Sequence, residues 1–96
     1  MAFFLTRLNV GDYDTWRPMF DEDGPGARRS AKGHRLFRNV DNPGEVFILV
    51  EFASAHDARI GRERLLSSGV LDRFPDKTDP VVIEEAESIG YGPPSV

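Results

Sequence analysis

The sequence predicts an α+β fold in which strands and helices follow one another as β-α-β-β-α-β, giving a four-stranded antiparallel sheet with both helices on one face. Three observations predict it. Two strand-like runs form a hairpin in mid-chain, His34 to Phe52, around the turn-forming Asn42-Pro43-Gly44-Glu45. One helix-like and one strand-like segment flank that hairpin on each side. The run Val46-Phe47-Ile48-Leu49-Val50 contains no polar residue, so its side chains are apolar on both sides of a sheet.

The elements follow in order. Residues 2–10 (Ala-Phe-Phe-Leu-Thr-Arg-Leu-Asn-Val) are aromatic and aliphatic and read as the first strand, which Gly11 and Asp12 end. Asp12 or Asp14 caps the next helix, where Tyr13, Trp16 and Phe20 share one face of a 3.6-residue period and Met19 widens the stripe. Pro18 is tolerated if it falls near the first turn, so a helix starting at Asp14 with a late or slightly bent start is expected. Gly24-Pro25-Gly26 breaks the pattern, and the connection to Gly33 has room for one more helical turn.

After the second strand, Asn42-Pro43-Gly44-Glu45 matches a type II turn, with proline pre-setting φ and glycine taking the positive φ. Ser54 caps the second helix, with Asp57 three residues on, and Ala58, Gly61 and Leu65 share a face small enough to lie close to a sheet. Ile60 lies outside that stripe. Ser68-Gly69 ends the helix, Val70-Leu71 and Phe74 suggest a short extra turn before Pro75, and a last strand is expected near Val81 to Ile89. The reading is one domain over residues 1–90 with a C-terminal tail over 91–96.

Strands two and four carry Arg35, Arg38, Glu84, Glu85 and Glu87, which suits sheet edges, so the expected order is 4-1-3-2. Two helices cover one face of such a sheet. The other face, apolar in the central strands, then needs a cover, and large exposed apolar patches are rare on monomers. A homodimer packed through its sheet faces is the expected solution.

Composition narrows the function classes. With 12 Lys+Arg against 16 Asp+Glu the chain carries a net charge of -4, which gives no attraction toward phosphate backbones, and nucleic acid is not expected as a partner. There is no cysteine, hence no disulfide or thiolate nucleophile, a usage that suits a cytoplasmic protein. The apolar start at residues 2–5 is too short for a signal segment, and no run approaches the roughly 18 apolar residues a membrane span needs. No metal or cofactor is expected: two histidines without ligand spacing, no phosphate-binding glycine loop, no dinucleotide fingerprint and no Gly-x-Ser-x-Gly.

Several residues are candidates for a site, each with a structural alternative. Trp16 is either the wall of an aromatic-binding cavity or the core anchor of its helix. His34 and Arg38 share strand parity with Leu36; one is able to move a proton near neutral pH and the other to hold an enolate or phenolate, or both simply face solvent. Asn9, Tyr13, Phe20 and Phe37 would complete a binding set, and Asn39 could add a polar contact. His56, at the start of the second helix, reads as surface. Arg28, Arg29 and Lys32 attract an acidic ligand at a cavity mouth or are merely solvated.

The β-α-β-β-α-β layout, Asp12-Tyr13-Asp14-x-Trp16-x-x-x-Phe20, the Asp41-Asn42-Pro43-Gly44 turn and the Ser54-x-x-x-Ala58 helix start together resemble the dimeric α/β-barrel superfamily, nearest to its antibiotic-biosynthesis-monooxygenase-like proteins. That resemblance implies a ferredoxin-like subunit and a cavity between the sheet and its own helices. It implies an activity among cofactor-independent monooxygenases, polyketide cyclases or isomerases, with an asparagine, a tryptophan and a histidine or arginine near the cavity. Here those would be Asn9, Trp16, His34 and Arg38. Haem-degrading members carry their tryptophan on a later element, so the match does not extend to them. Two function classes stay open: an enzyme of small-molecule metabolism acting on an aromatic or polyketide-like compound, and a non-catalytic homodimeric module binding a small hydrophobic ligand.

Overall fold

A computed structural model describes residues 1–92 of the chain. Strand β1 (Ala2–Asn9) leads into helix α1 (Tyr13–Glu22); β2 (Gly33–Asn39) and β3 (Asn42–Phe52) form the hairpin; α2 (Ala55–Ser67) and a 3₁₀ turn (Val70–Arg73) precede β4 (Lys77–Glu84). The sheet is antiparallel in the order β2-β3-β1-β4, which is 4-1-3-2 read from the other edge. This is the ferredoxin-like arrangement expected from the sequence.

Alternation along the central strands divides the sheet into two faces. Ala2, Phe4, Thr6 and Leu8 of β1 and Val46, Ile48, Val50 and Phe52 of β3 are buried beneath the helices. Their neighbours Phe3, Leu5, Phe47 and Leu49 point to the helix-free face and stay half-buried. The core is therefore one layer of apolar side chains between sheet and helices, to which α1 contributes Trp16 and α2 contributes Ala58.

Both caps form as expected. Asp12 accepts a hydrogen bond from the Asp14 amide, and the Ser54 hydroxyl oxygen accepts one from the Asp57 amide. Gly61 lets α2 approach the rest of the fold: a Cβ there would stand 2.6 Å from the Ala27 carbonyl oxygen and 2.8 Å from the Phe52 ring. Gly69, at φ 73°, turns the chain out of α2 into the 3₁₀ turn.

Four local expectations need correction. The hairpin turns at Val40 and Asp41, not at Pro43-Gly44, which already belong to β3. Gly44 has no positive φ; it is small because the Gly11 carbonyl oxygen would lie 2.7 Å from any Cβ there, and its own carbonyl accepts from the Val10 amide at 2.8 Å. Pro18 lies inside α1, in its second turn, because capping by Asp12 starts the helix one residue earlier than Asp14. The connection after α1 is a series of turns tied to Asp23, with no further helix.

The last strand runs Lys77–Glu84, starting earlier and ending earlier than Val81 to Ile89. Pro80 sits at an irregularity within it. Between the pairs Leu5–Val81 and Arg7–Thr78 the register shifts, and in that gap the Thr6 hydroxyl donates to the Thr78 carbonyl at 2.6 Å. A proline on an edge strand at a bulge costs no ladder hydrogen bond. The strand stops at Glu84 because its partner there is Ala2, the first residue of β1. Residues 85–89, expected to continue the strand, carry no regular structure, nor do 90–92; the rest of the expected tail, 93–96, lies outside the described residues.

Candidate functional site

Between the sheet and its helices lies a half-open cavity of about 370 Å³. Its floor is the buried row Phe4, Thr6, Leu8, Ile48 and Val50, which alternation forces onto the helix side of β1 and β3. One wall is the α1 stripe Trp16, Met19 and Phe20, and the opposite wall is the 3₁₀ segment with Leu71 and Phe74. Such a lining excludes water from a planar apolar guest and offers it aromatic faces. Trp16 is 5% exposed and packs in tilted contact with Tyr13 at 5.9 Å and Phe20 at 5.1 Å between ring centroids. It is at once a core anchor and a cavity wall.

The polar groups of the lining are few. The Thr6 hydroxyl donates to the Thr78 carbonyl, so its hydrogen is already used within the sheet. Arg28 closes the end of α1: its guanidinium stacks 3.8 Å from the Phe20 ring centroid, donates to the Phe20 carbonyl oxygen and lies 3.7 Å from Asp23 Oδ1. Arg73 reaches across from the 3₁₀ turn to α1, where its Nη1 is 3.9 Å from Met19 Sδ.

Of the residues singled out in the sequence, Trp16, Phe20 and Arg28 line this cavity. His34 and Arg38 lie on the same face of the sheet but outside the lining, under α1 along the β2 edge. His34 meets the far edge of Phe20 at 5.0 Å, and Arg38 lies over the Tyr13 ring at 4.6 Å. Partial burial of the His34 ring, helped by the Arg28 and Arg17 cations and opposed by Asp21, holds its pKa below the ordinary value. The shift favours the neutral imidazole, the form a base requires, although the residue is largely exposed. Phe37 is on the opposite, helix-free face and half-exposed.

Asn9 is also on that opposite side. Its carboxamide oxygen accepts from the Gly11 amide at 3.1 Å and its nitrogen lies 3.4 Å from Asp76, so it ties the β1–α1 loop to the β4 lead-in. Asn39 donates to Glu45 at 2.8 Å, Glu45 accepts from Arg7 at 2.5 Å, and Arg7 also donates to Asp76 at 2.9 Å. Hydrogen bonds from Asn39 and then Arg7 hold the Glu45 carboxyl below its usual range, and those from Arg7 and then Asn9 do the same for Asp76. This network occupies one end of the helix-free face; the other end is apolar. Among the described residues no group of three or more His, Asp or Glu is placed to hold a metal ion.

Sequence reasoning missed Phe4, Thr6 and the 3₁₀ wall as parts of the cavity. The strand parity of Phe4 and Thr6 was legible, but which face carries the helices was not. Arg28 had been grouped with Arg29 and Lys32; of the three, only Arg28 lines the cavity.

No protein-family model and no curated protein matches the sequence. Solved structures do. A "putative antibiotic biosynthesis monooxygenase" from Deinococcus radiodurans superposes with a TM-score of 0.68 at 12% identity, over 97% of this chain and 100% of that one. The chain has its fold. Protein Atu4242 from Agrobacterium tumefaciens superposes with a TM-score of 0.59 at 14% identity, over 90% of this chain and 94% of that one. The ferredoxin-like fold expected from the sequence is thus the observed one and is shared with these proteins, and at these identities the likeness speaks of backbone architecture and not of residue roles. Within this fold no helix is long and apolar enough to cross a membrane, among the described residues.

Proposed function

We propose that this chain is a homodimeric protein of small-molecule metabolism that holds an aromatic or polyketide-like compound between its sheet and its helices. The observation that carries this reading is the cavity of about 370 Å³ walled by Trp16, Phe20 and Phe74 over an apolar floor of Phe4, Leu8, Ile48 and Val50, large enough for a fused-ring guest. The reaction we favour is one that needs no bound cofactor, monooxygenation or a cyclisation/isomerisation. The fold shared with the Deinococcus protein supports it, as does the apolar chamber in which a reactive enolate or phenolate is shielded from water.

Trp16 is the only tryptophan in the chain, so its emission reports directly on the cavity. Fused-ring phenols and quinones should quench it saturably at micromolar concentration, and oxygen uptake or product analysis on the same compounds should show turnover. Absence of quenching by every planar compound tried would end the reading.

A second reading, a binding module without catalysis, is favoured by one observation: His34 and Arg38, the residues best suited to acid–base work, stand outside the lining. His34→Ala and Arg38→Ala separate the two. Under the enzyme reading at least one lowers kcat by 10²-fold or more, about the value of a positioned acid or base; under the binding reading compounds bind and nothing is turned over.

The homodimer is supported by the helix-free face, where Phe3, Leu5, Phe47 and Leu49 are joined by Phe37, Val81 and Ile83, which are 49%, 47% and 36% exposed. A second copy covers such a face by isologous packing. Sedimentation should give a dimer for the native chain and a folded monomer for Leu49→Asp; a native monomer at micromolar concentration would overturn it.

A further inference from the structure

We propose that the ligand of this cavity is an organic acid, an apolar ring system carrying a carboxylate, and that Arg73 is the residue that selects it. The inference rests on the cavity being a ligand site, as argued above, and adds the charge of the guest. Four ionisable groups border the cavity: Glu22, Asp23, Arg28 and Arg73. Asp23 and Arg28 are spent on one another and on the end of α1. Arg28 donates to the Phe20 carbonyl oxygen, its guanidinium face is covered by the Phe20 ring, and Asp23 accepts from the Arg28 backbone amide at 3.1 Å.

Arg73 is different. Among the described residues its one side-chain partner is the Met19 thioether sulfur, a weak acceptor, and no carboxylate lies within 4.0 Å of it. A guanidinium has five donors in a planar fork that matches the two oxygens of a carboxylate. Exposed to solvent on the 3₁₀ wall and reaching toward Met19 of α1, it borders the cavity with its donors free, beside the apolar floor and the aromatic faces of Trp16 and Phe20. Glu22, near the end of α1, also lacks an ion-pair partner among the described residues and carries the opposite sign. It repels a carboxylate from the α1 rim and so directs the acid toward Arg73, leaving the rings against Trp16 and Phe20.

The test compares 2-naphthoate with its methyl ester by quenching of Trp16 emission in the native protein, Arg73→Met and Glu22→Gln. The expected result is that the native protein binds the acid roughly tenfold or more tighter than the ester, that Arg73→Met brings the acid-to-ester ratio to about one, and that Glu22→Gln enlarges it. Arg73→Met removes the guanidinium and its contact with Met19 Sδ while keeping the apolar start of the side chain, and a thermal melt equal to that of the native protein confirms that it is folded. Equal binding of acid and ester by the native protein, or an acid preference that survives in Arg73→Met, overturns the role of Arg73 and leaves the cavity reading intact. Failure of both compounds to quench at millimolar concentration overturns both.

Discussion

The most consequential single atoms are those that are missing. At Gly61 a methyl group would press on the Ala27 carbonyl oxygen and the Phe52 ring, both fixed by their own packing. Gly61→Ala should therefore destabilise the fold by about 1–3 kcal/mol in urea unfolding, despite the better helix propensity of alanine. His34 makes a second prediction at this scale. Because its pKa is lowered, any step that uses it as a base should lose rate only as pH falls through a value below that of an ordinary histidine. A kcat/KM profile whose acid limb lies above 6.5 would show that another group is titrating. Trp16 and Gly61 were both readable from spacing alone, since an amphipathic stripe states which side of a helix is inward. Thr6 was not: its use depends on the register shift beside Pro80, which sequence spacing does not reveal.

At the scale of elements, the two helices are started by their caps and ended differently. Asp23 closes α1 in a left-handed conformation at φ 46°, and the Phe20 carbonyl oxygen accepts both from the Asp23 amide at 3.1 Å and from the returning Arg28 guanidinium. Pro18 inside this helix removes the amide that would bond to the Asp14 carbonyl. Pro18→Ala should restore it and raise the unfolding free energy by about 1–3 kcal/mol; a loss of stability would mean that the fold depends on the bend proline imposes. The expectation of a proline in the first turn failed for a physical reason: a capping aspartate at 12 outweighs the penalty of an interior proline once Tyr13 and Trp16 gain burial. The hairpin turn was misplaced in the same way. Pro-Gly has the right local chemistry for a type II turn, yet pairing of Asn39 with Asn42 and the close approach of Gly11 to Gly44 put both residues in the strand.

For the whole molecule, the helix-free face joins an apolar half to the Arg7, Glu45, Asp76 and Asn39 network. Both carboxyl groups have lowered pKa values in the folded chain, so they stabilise it above the ordinary carboxylate range, and that contribution is lost as pH falls through the lowered values. Stability measured between neutral pH and pH 3 should decline, and Glu45→Gln should flatten the decline; an unchanged pH dependence in that variant would remove Glu45 from the account. If two copies meet across this face the network lies at the margin of their contact, and the acid loss of stability should coincide with dissociation in sedimentation.

Alternation, helical periodicity and capping residues were enough to determine the order of elements, the sheet order and the presence of an apolar second face, because each depends on neighbours close in the chain or on charge that must avoid the centre of a sheet. What the cavity contains was decided only by tertiary structure. Its walls come from β1, α1, β3 and the 3₁₀ turn, segments separated by tens of residues, and whether a side chain such as His34 faces the chamber or the rim depends on where α1 crosses the sheet. That crossing is set by packing of Trp16, Phe20 and Arg28 against one another, which no local pattern encodes.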